Sequence, residues 1–239
     1  MVQIRAAGPA EKTQEKKREI LVAASKVFRE RGLHAAGMRE IAAEMKMAVG
    51  NLYYYFRDKE DLLAFVQEST LAGLLSLASG VRSLPLPADQ KLYLQIAGHV
   101  VLLNEGTPGS LAHLDVEALG DRHRGPILAR RDEYERSFRR LLEHGVETRV
   151  FRPHDVKVAA LAILGAVNWT VKWFRPAGGR SAREIGTDTA ELMVRGLLAP
   201  GATLTPPSPE ALRSLLGLLE PASEPAPEPA LDRSPEIPA

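Results

Sequence analysis

Apolar positions recur at helical spacing from the first stretch of the chain onward. Ile20, Ala24, Val27 and Phe28 fall at i, i+4, i+7 and i+8, the mark of an amphipathic helix with one buried stripe. The pattern predicts a helix over 13–31, with Gly32 stopping it just beyond the last turn. Met38, Ile41, Ala42 and Met45 predict a second helix of barely two turns, and a third starts near Ala48 and ends ahead of Arg57. Asp58 is suited to cap a fourth helix, with Asp61 as an acidic residue in its first turn. Leu62, Leu63, Phe65, Val66, Leu71, Leu74 and Leu75 carry that helix to about Val81, and Pro85 and Pro87 then break the chain.

Further helices are expected over 88–104, 108–119, 126–148, 153–174 and 181–198, each opening near Pro, Ser or Asp and closing at Gly, Pro or Asn. No run alternates with period two and no repeat has a fixed period. The expected fold is all-α with about nine helices: an N-terminal three-helix domain and a larger helical body. The boundaries read as a disordered arm over 1–12, a small domain over 13–60, a body over 61–199 and a tail over 200–239. The tail holds 10 of the chain's 17 prolines, too little apolar surface to offset the entropy of ordering, and most of it is expected to be disordered. Within it, Leu212, Leu215, Leu216 and Leu219 share one helical face and predict a short docked helix over 209–220.

Composition narrows the chemistry. The chain has 239 residues, 45% hydrophobic and 26% charged, with no cysteine. Disulfides, thiolate zinc sites, iron–sulfur clusters and cysteine nucleophiles are therefore excluded. No uninterrupted apolar run reaches the ~18 residues that span a bilayer. Arg5, Lys12, Lys16 and Lys17 near the N-terminus flank no apolar core, so a cytoplasmic protein without membrane attachment is expected. The net charge of +1 divides unevenly: +4 over 1–60, +1 over 61–199 and −4 over 200–239. A basic head points weakly to a polyanionic partner.

Two short helices joined only by Lys46 and Met47 must cross steeply, which makes 37–56 a helix–turn–helix. The second of the pair would project toward a major groove while flanking N–H groups and cations hold phosphates. Asn51 can reach a base edge or a phosphate, Tyr53, Tyr54 and Tyr55 offer three hydroxyls, and Gly50 permits close backbone approach. Arg39 and Lys46 add charge, and Lys59 in the first turn of the next helix can share a phosphate with its N–H groups. The alternative for the tyrosines is packing between helices, although Leu52 and Phe56 already supply an apolar face.

These residues resemble a known family. Arg18 to Ala24, Phe28, Gly32, Ile41, Ala42, Gly50, Leu52, Tyr53, Phe56 and Lys59 to Leu63 are similar, over about 50 residues, to the TetR family of bacterial transcriptional regulators. The resemblance implies a DNA-binding domain, a larger helical ligand domain, and a homodimer reading a palindromic operator. It also implies groove or phosphate contacts at Asn51, Tyr53 and Tyr54 and a phosphate contact at Lys59. Three positions depart from the family pattern. Ala36 and Gly37 stand where Thr or Ser is common, Lys46 where the turn usually holds Gly, and Ala48 where a hydroxyl often opens the third helix. Each lost hydroxyl cap costs about 0.5–2 kcal/mol when Ala replaces it.

The body shows no catalytic constellation, and its expected reading is not an enzyme. His113, Glu117 and Asp121 at i, i+4 and i+8, with Asp115 and His123 nearby, include metal-competent groups, but such spacing diverges along the axis. A solvated face partnered by Arg122 and Arg124 is the plainer reading. The first half of the helix over 153–174 is small or apolar nearly all round, so it must be buried on more than one face. With the helix over 181–198 it can pair with a second copy, matching two operator half-sites. Asn168 and Lys172, and Trp169 and Trp173, form adjacent stripes along the former helix. They read either as core and interface anchors or as a ligand mouth where indoles stack and Lys172, Arg175 or Arg180 meets phosphates.

Arg130 to Glu135, Leu141 to Gly145, Asn168 to Thr170, Arg175 and Pro176 resemble the TetR subgroup that answers to acyl-coenzyme A thioesters. That likeness implies an acyl-CoA effector, no resident cofactor, and ligand contacts at Arg130, Tyr134, Asn168, Trp169, Lys172 and Trp173. The expected function is a repressor released from double-stranded DNA by such an effector. The alternatives are a regulator answering to a non-CoA apolar ligand, an all-α enzyme acting on acyl thioesters, and a helical adaptor docking through its tail.

Overall fold

The structure, a computed structural model, describes residues 8–32, 35–106 and 115–217. Among these the chain forms nine α-helices: α1 Pro9–Arg31, α2 Met38–Glu44, α3 Val49–Tyr55, α4 Lys59–Ser83, α5 Ala88–Val101, α6 Asp121–Glu147, α7 Val156–Trp173, α8 Ala182–Leu197 and α9 Pro209–Gly217. A π-helical turn, Leu102–Gly106, continues α5. Among the described residues the one β feature is an isolated antiparallel bridge between Phe151 and Leu198.

The head follows the apolar pattern with one extension. α1 starts at Pro9, so residues 9–12 of the expected arm are helical, while 1–7 lie outside the described residues. The extension is Pro9, Ala10, Glu11 and Lys12, a proline suited to the first turn followed by strong helix formers without an apolar stripe, which periodicity cannot register. At the mouth of α2 the Glu40 carboxylate accepts from the Gly37 N–H at 3.0 Å, replacing the missing hydroxyl cap in part. α2 ends with Met47 N–H on the Ala42 carbonyl and Lys46 N–H on that of Ala43, a Schellman closure. It places Lys46 at φ 53°, the left-handed region where glycine is cheapest. Asp58 caps α4 as expected, accepting from the Asp61 N–H at 2.7 Å.

Two apolar cores divide the molecule, and α4 belongs to both. Leu62, Leu63, Val66 and Leu71 close the head core around Ile20, Phe28, Ile41 and Leu52. Leu74, Leu77 and Val81 enter the body core with Leu92, Ile96, Phe138 and Val167. The boundary read at residue 60 therefore falls at the start of a helix that couples the two parts. Val116, Leu119 and Ile127 also pack on the head core, so the body reaches back to cover it.

In the body, α5 lies along α8 so closely that a Cβ at Gly186 would sit 2.8 Å from the Ala97 carbonyl oxygen. Two expected boundaries fail. α6 opens at Asp121 with Pro126 inside it and not at its start, because a proline in the second turn forfeits only one bond near an exposed end. Residues 115–120 are turn and bend instead of the end of a helix over 108–119; 107–114, including His113 of the proposed metal trio, lie outside the described residues. α7 and α8 begin at Asp155 and Ser181 caps. Beyond α8, α9 docks on α4 and α5 with Leu212, Leu215 and Leu216 buried. A Leu215 methyl fills the notch at Gly80, 2.8 Å from where a Cβ would stand. Leu219 and the rest of the tail from 218 lie outside the described residues.

By length and composition α4 and α7 could each cross a membrane, although neither contains a long uninterrupted apolar run. α4 is mostly buried in the two cores, but only 22% of the α7 window is. Val158, Leu161, Trp169 and Trp173 stand exposed along the rest of it.

Candidate functional site

α3 presents polar and aromatic groups on the side away from its core anchor. Leu52 is fully buried and Phe56, just past the helix, nearly so, which fixes the helix by one face. Gly50, Asn51, Tyr53 and Tyr54 are exposed, with Tyr53 50% and Tyr54 80% open. Tyr55 alone packs against the head core and meets the Tyr54 ring edge-on at 5.1 Å. Of the two readings for the tyrosines, packing thus applies to Tyr55 and solvent presentation to Tyr53 and Tyr54. Arg39 on α2, lining a groove with Glu30 and Arg31 of α1, and Lys46 in the turn are exposed, and Lys59 stands half-buried in the first turn of α4. Hydroxyl, amide and cationic donors gathered around a protruding helix can contact phosphates and base edges together.

The head is tied to the body at the first turn of α4. Asp61 accepts from Arg57 Nε at 3.0 Å and His123 Nε2 at 2.9 Å, and pairs with Arg122. Burial pushes the Asp61 carboxyl up, but the hydrogen bonds from Arg57 and His123 more than offset this and leave it below its ordinary value. The start of α6 is thereby fastened to the helix that carries Lys59.

Behind this junction a cavity of about 310 Å³ opens between α6 and α7, with Leu71 of α4 and His99 of α5 on its wall. His99, Tyr134 and Asn168 form a bonded string along its polar lining, while Glu135 Oε1 is buried there without a hydrogen-bond partner. His99 Nδ1 lies 2.9 Å from the Tyr134 hydroxyl and Nε2 lies 3.1 Å from Asn168 Oδ1. Because Oδ1 only accepts, His99 carries its proton on Nε2 and Tyr134 donates to Nδ1. Burial pulls the His99 pKa down to about 3, the Asn168 bond offsetting only part of that. Burial likewise raises Tyr134 well above the usual phenol value. The ring is neutral at physiological pH.

The cavity unites Tyr134 and Asn168 of the expected ligand set and leaves out the other four. Arg130 does not line it; Arg131, rotated about 100° further round α6, does. Trp169, Lys172 and Trp173 face outward on α7, the indoles 60% and 49% exposed. They continue a stripe with Val158, Leu161 and Gly165, of which Leu161 and Gly165 also stand at the cavity mouth. His99 was missed in the sequence. Its signal was the pair Gln95 and His99 at i, i+4 inside the otherwise apolar run from Leu92 to Leu103. Neither is free to be decorative: Gln95 is 1% exposed and donates to Ser137 Oγ at 2.7 Å.

Of the metal-competent residues, Glu117 pairs with Arg124 at 2.7 Å, as the solvated-face reading expects, and Asp121 opens α6. Among the described residues no three acidic or histidine groups converge as a metal site.

Comparison with known proteins bears on both parts. Residues 20–66 match the family model described as bacterial regulatory proteins of the tetR family, and residues 85–197 match the tetracyclin repressor-like C-terminal domain. The HTH-type transcriptional repressor KstR2 of Mycobacterium tuberculosis is 25% identical over 186 residues, 77% of this chain and 93% of its own length. Among solved structures, the TetR family regulator PfmR from Thermus thermophilus superposes with a TM-score of 0.69 at 30% identity, covering 74% of this chain and 97% of that one. AibR, solved with isovaleryl coenzyme A and operator DNA, superposes with a TM-score of 0.66 at 26% identity over 77% of this chain and 99% of its own. Two family models in tandem, and a regulator matched along nearly its whole length at 30% identity, lead to one conclusion: the chain belongs to the TetR family of bacterial transcriptional regulators.

Proposed function

We propose that the protein is a homodimeric repressor that holds a palindromic operator through α3 of both copies and lets go when an acyl-coenzyme A, or a related amphipathic acyl thioester, enters the body. The observation that carries this reading is the course of α4. One helix bears Lys59 at the nucleic-acid face and Leu71 on the wall of the His99 cavity. A ligand that prefers one position of α4 shifts the separation of the two reading helices, and a hundredfold loss of operator affinity needs only about 2.7 kcal/mol of coupling. Two copies joined through α7 and α8 would cover Val158, Trp169, Trp173 and Leu192, the last 72% exposed on α8. Such a two-fold pair suits a two-fold operator.

The volume of about 310 Å³ suits the acyl end of a thioester and not its nucleotide, which would remain at the open side beside Leu161 and Gly165. A free apolar acid is the second reading, favoured by that same limited volume. Footprinting a palindrome near the gene, titrated separately with acyl-CoA and free fatty acid, tests both. Release by acyl-CoA alone is the expected result. Release by the free acid alone replaces the effector, and failure to protect any palindrome removes the repressor reading itself.

A further inference from the structure

A second cavity, of about 320 Å³, lies on the opposite flank of α6, between it and α4. Its makeup differs from the first. Leu75, Ala78 and Leu141 form an apolar floor, and Arg82, Lys91, Arg140 and His144 surround it against the single carboxylate of Glu133. Some arginines of the body surface are matched to acids: Arg124 with Glu117, Arg139 with Glu135, Arg180 with Asp188, Arg195 with Glu191. Around this cavity the Lys91 ammonium is held by the Arg82 backbone carbonyl at 3.1 Å, and among the described residues neither Arg82 nor Arg140 has an acidic partner. Three cations against one carboxylate leave a net positive charge at the rim of an apolar hollow, which an anion would balance.

The geometry points to a second ligand site, distinct from the cavity behind His99, for an amphipathic organic anion. The carboxylate or phosphate sits among Arg82, Lys91 and Arg140, and a short apolar body lies against Leu75, Ala78 and Leu141. Guanidinium groups suit both headgroups, since their paired N–H donors match two oxygens at once. The volume lies at the small end of ordinary ligand pockets, which sets the apolar part at a medium alkyl chain and excludes a whole nucleotide thioester. Gln95 and Ser137, bonded to each other at 2.7 Å, line the inner wall. Arg82 and the Leu75 and Ala78 floor stand on α4, the helix shared by both cores, so occupancy bears on the reading head. The site stands whether or not the other cavity takes an acyl thioester.

Calorimetric titration of the full-length protein with octanoate, octyl phosphate, octanol and octylammonium tests the assignment. Octanoate and octyl phosphate should bind once per protomer with Kd in the range of about 0.01–1 mM, and octanol and octylammonium at least tenfold more weakly. The double variant Arg82→Gln with Arg140→Gln should weaken the two anions tenfold or more, with an unchanged circular dichroism spectrum. Asn168→Ala, on the other cavity, should leave them unaffected. Inorganic phosphate competing as well as octyl phosphate would reduce the site to a surface anion contact and overturn it. Loss of octanoate in Asn168→Ala but not in the arginine variant would place the ligand behind His99 and sink the second site while leaving the proposed repressor intact. Equal binding of octanol, or no binding of either anion, would also overturn it.

Discussion

Two surfaces of this protein hold aromatic rings out to solvent, and they differ in everything around the rings. On α3, Tyr53 and Tyr54 stand with Asn51 and Lys46, above an apolar core in which Ser25 and Thr70 bond back to their own helices and Gln67 to the Asp115 carbonyl. On α7, Trp169 and Trp173 stand in line with Val158 and Leu161, above a core that encloses Gln95, His99, Asn104 and Thr170. A hydroxylated ring among cations complements a wet, anionic surface. An indole in an apolar row complements another apolar row, and only 22% of the α7 window is buried although its composition demands more. What lies behind each face differs as well. The body core is threaded by bonded polar groups around a cavity, where a ligand can exchange one satisfied arrangement for another.

The comparison breaks most severely if α7 is made polar. Leu161→Asp with Trp169→Asp should yield a monomer by sedimentation velocity, and operator affinity should fall by about 10² or more as the second half-site becomes a separate binding event. Tyr53→Ala with Tyr54→Ala should leave the dimer untouched. A dimer surviving the first pair of changes would mean that α7 is not the seam.

Acid should separate the two cores next. The unfolded chain takes up a proton on His99 near its ordinary value of 6.5, whereas the folded body resists until about pH 3. Between those limits the unfolded state binds more protons, so the stability present above pH 6.5 is lost as the pH falls, at about 1.4 kcal/mol per unit. Urea unfolding at pH 7 and pH 5 should differ by about 2 kcal/mol through this group. His99→Gln, which keeps a donor and an acceptor, should remove most of that difference. An unchanged slope in the variant would show that other groups govern the acid response.

The head was legible because its determinants are local. Ile20 to Phe28 name one helix face, Asp58 announces a cap, and two residues between short helices permit only a steep crossing. The cavity was not legible, because its parts come from four helices far apart in the chain. Tyr134 and Asn168 could be singled out, but no spacing tells that His99, 35 residues before the one and 69 before the other, bonds to both. Trp169 and Trp173 fit a ligand mouth on sequence alone because aromatic stripes serve pockets and interfaces alike. Only the rotation of α7 decides between them, and that is set by which side Ile163 and Val167 bury. Pro126 misleads in a similar way, since a proline ahead of an apolar run reads as a helix start until the preceding turn is seen.

A smaller effect sharpens the reading of α3. Asn51→Ala should weaken operator binding by about 1–3 kcal/mol if the amide reads a base edge, relaxing preference at one position of each half-site. Arg39→Ala should instead weaken all sequences alike and lower the slope of log affinity against log salt by about one. Competition titrations against operator and scrambled duplex at several salt concentrations distinguish the two. If both variants act alike on operator and scrambled DNA, Asn51 holds phosphate and the base-reading role falls to other residues of the face.

The least of these effects concerns a single residue between the two short helices. Lys46 closes α2 at φ 53°, a conformation that costs a side-chain-bearing residue about 1–2 kcal/mol and glycine little. Part of that cost returns when glycine is introduced, because the unfolded chain gains freedom worth about 0.4–1 kcal/mol. Lys46→Gly should therefore stabilise the free protein by a net amount of about 0.5–1 kcal/mol, visible as a raised urea midpoint with an unchanged m-value. The same change removes an exposed cation beside Tyr53, so operator binding should weaken and its salt slope fall by about one. Opposite signs in the two measurements are what a residue kept at a strained turn for its charge must give. Stabilisation with no loss of operator affinity would mean that Lys46 does not reach phosphate, and the cationic surround of α3 would rest on Arg39 and Lys59.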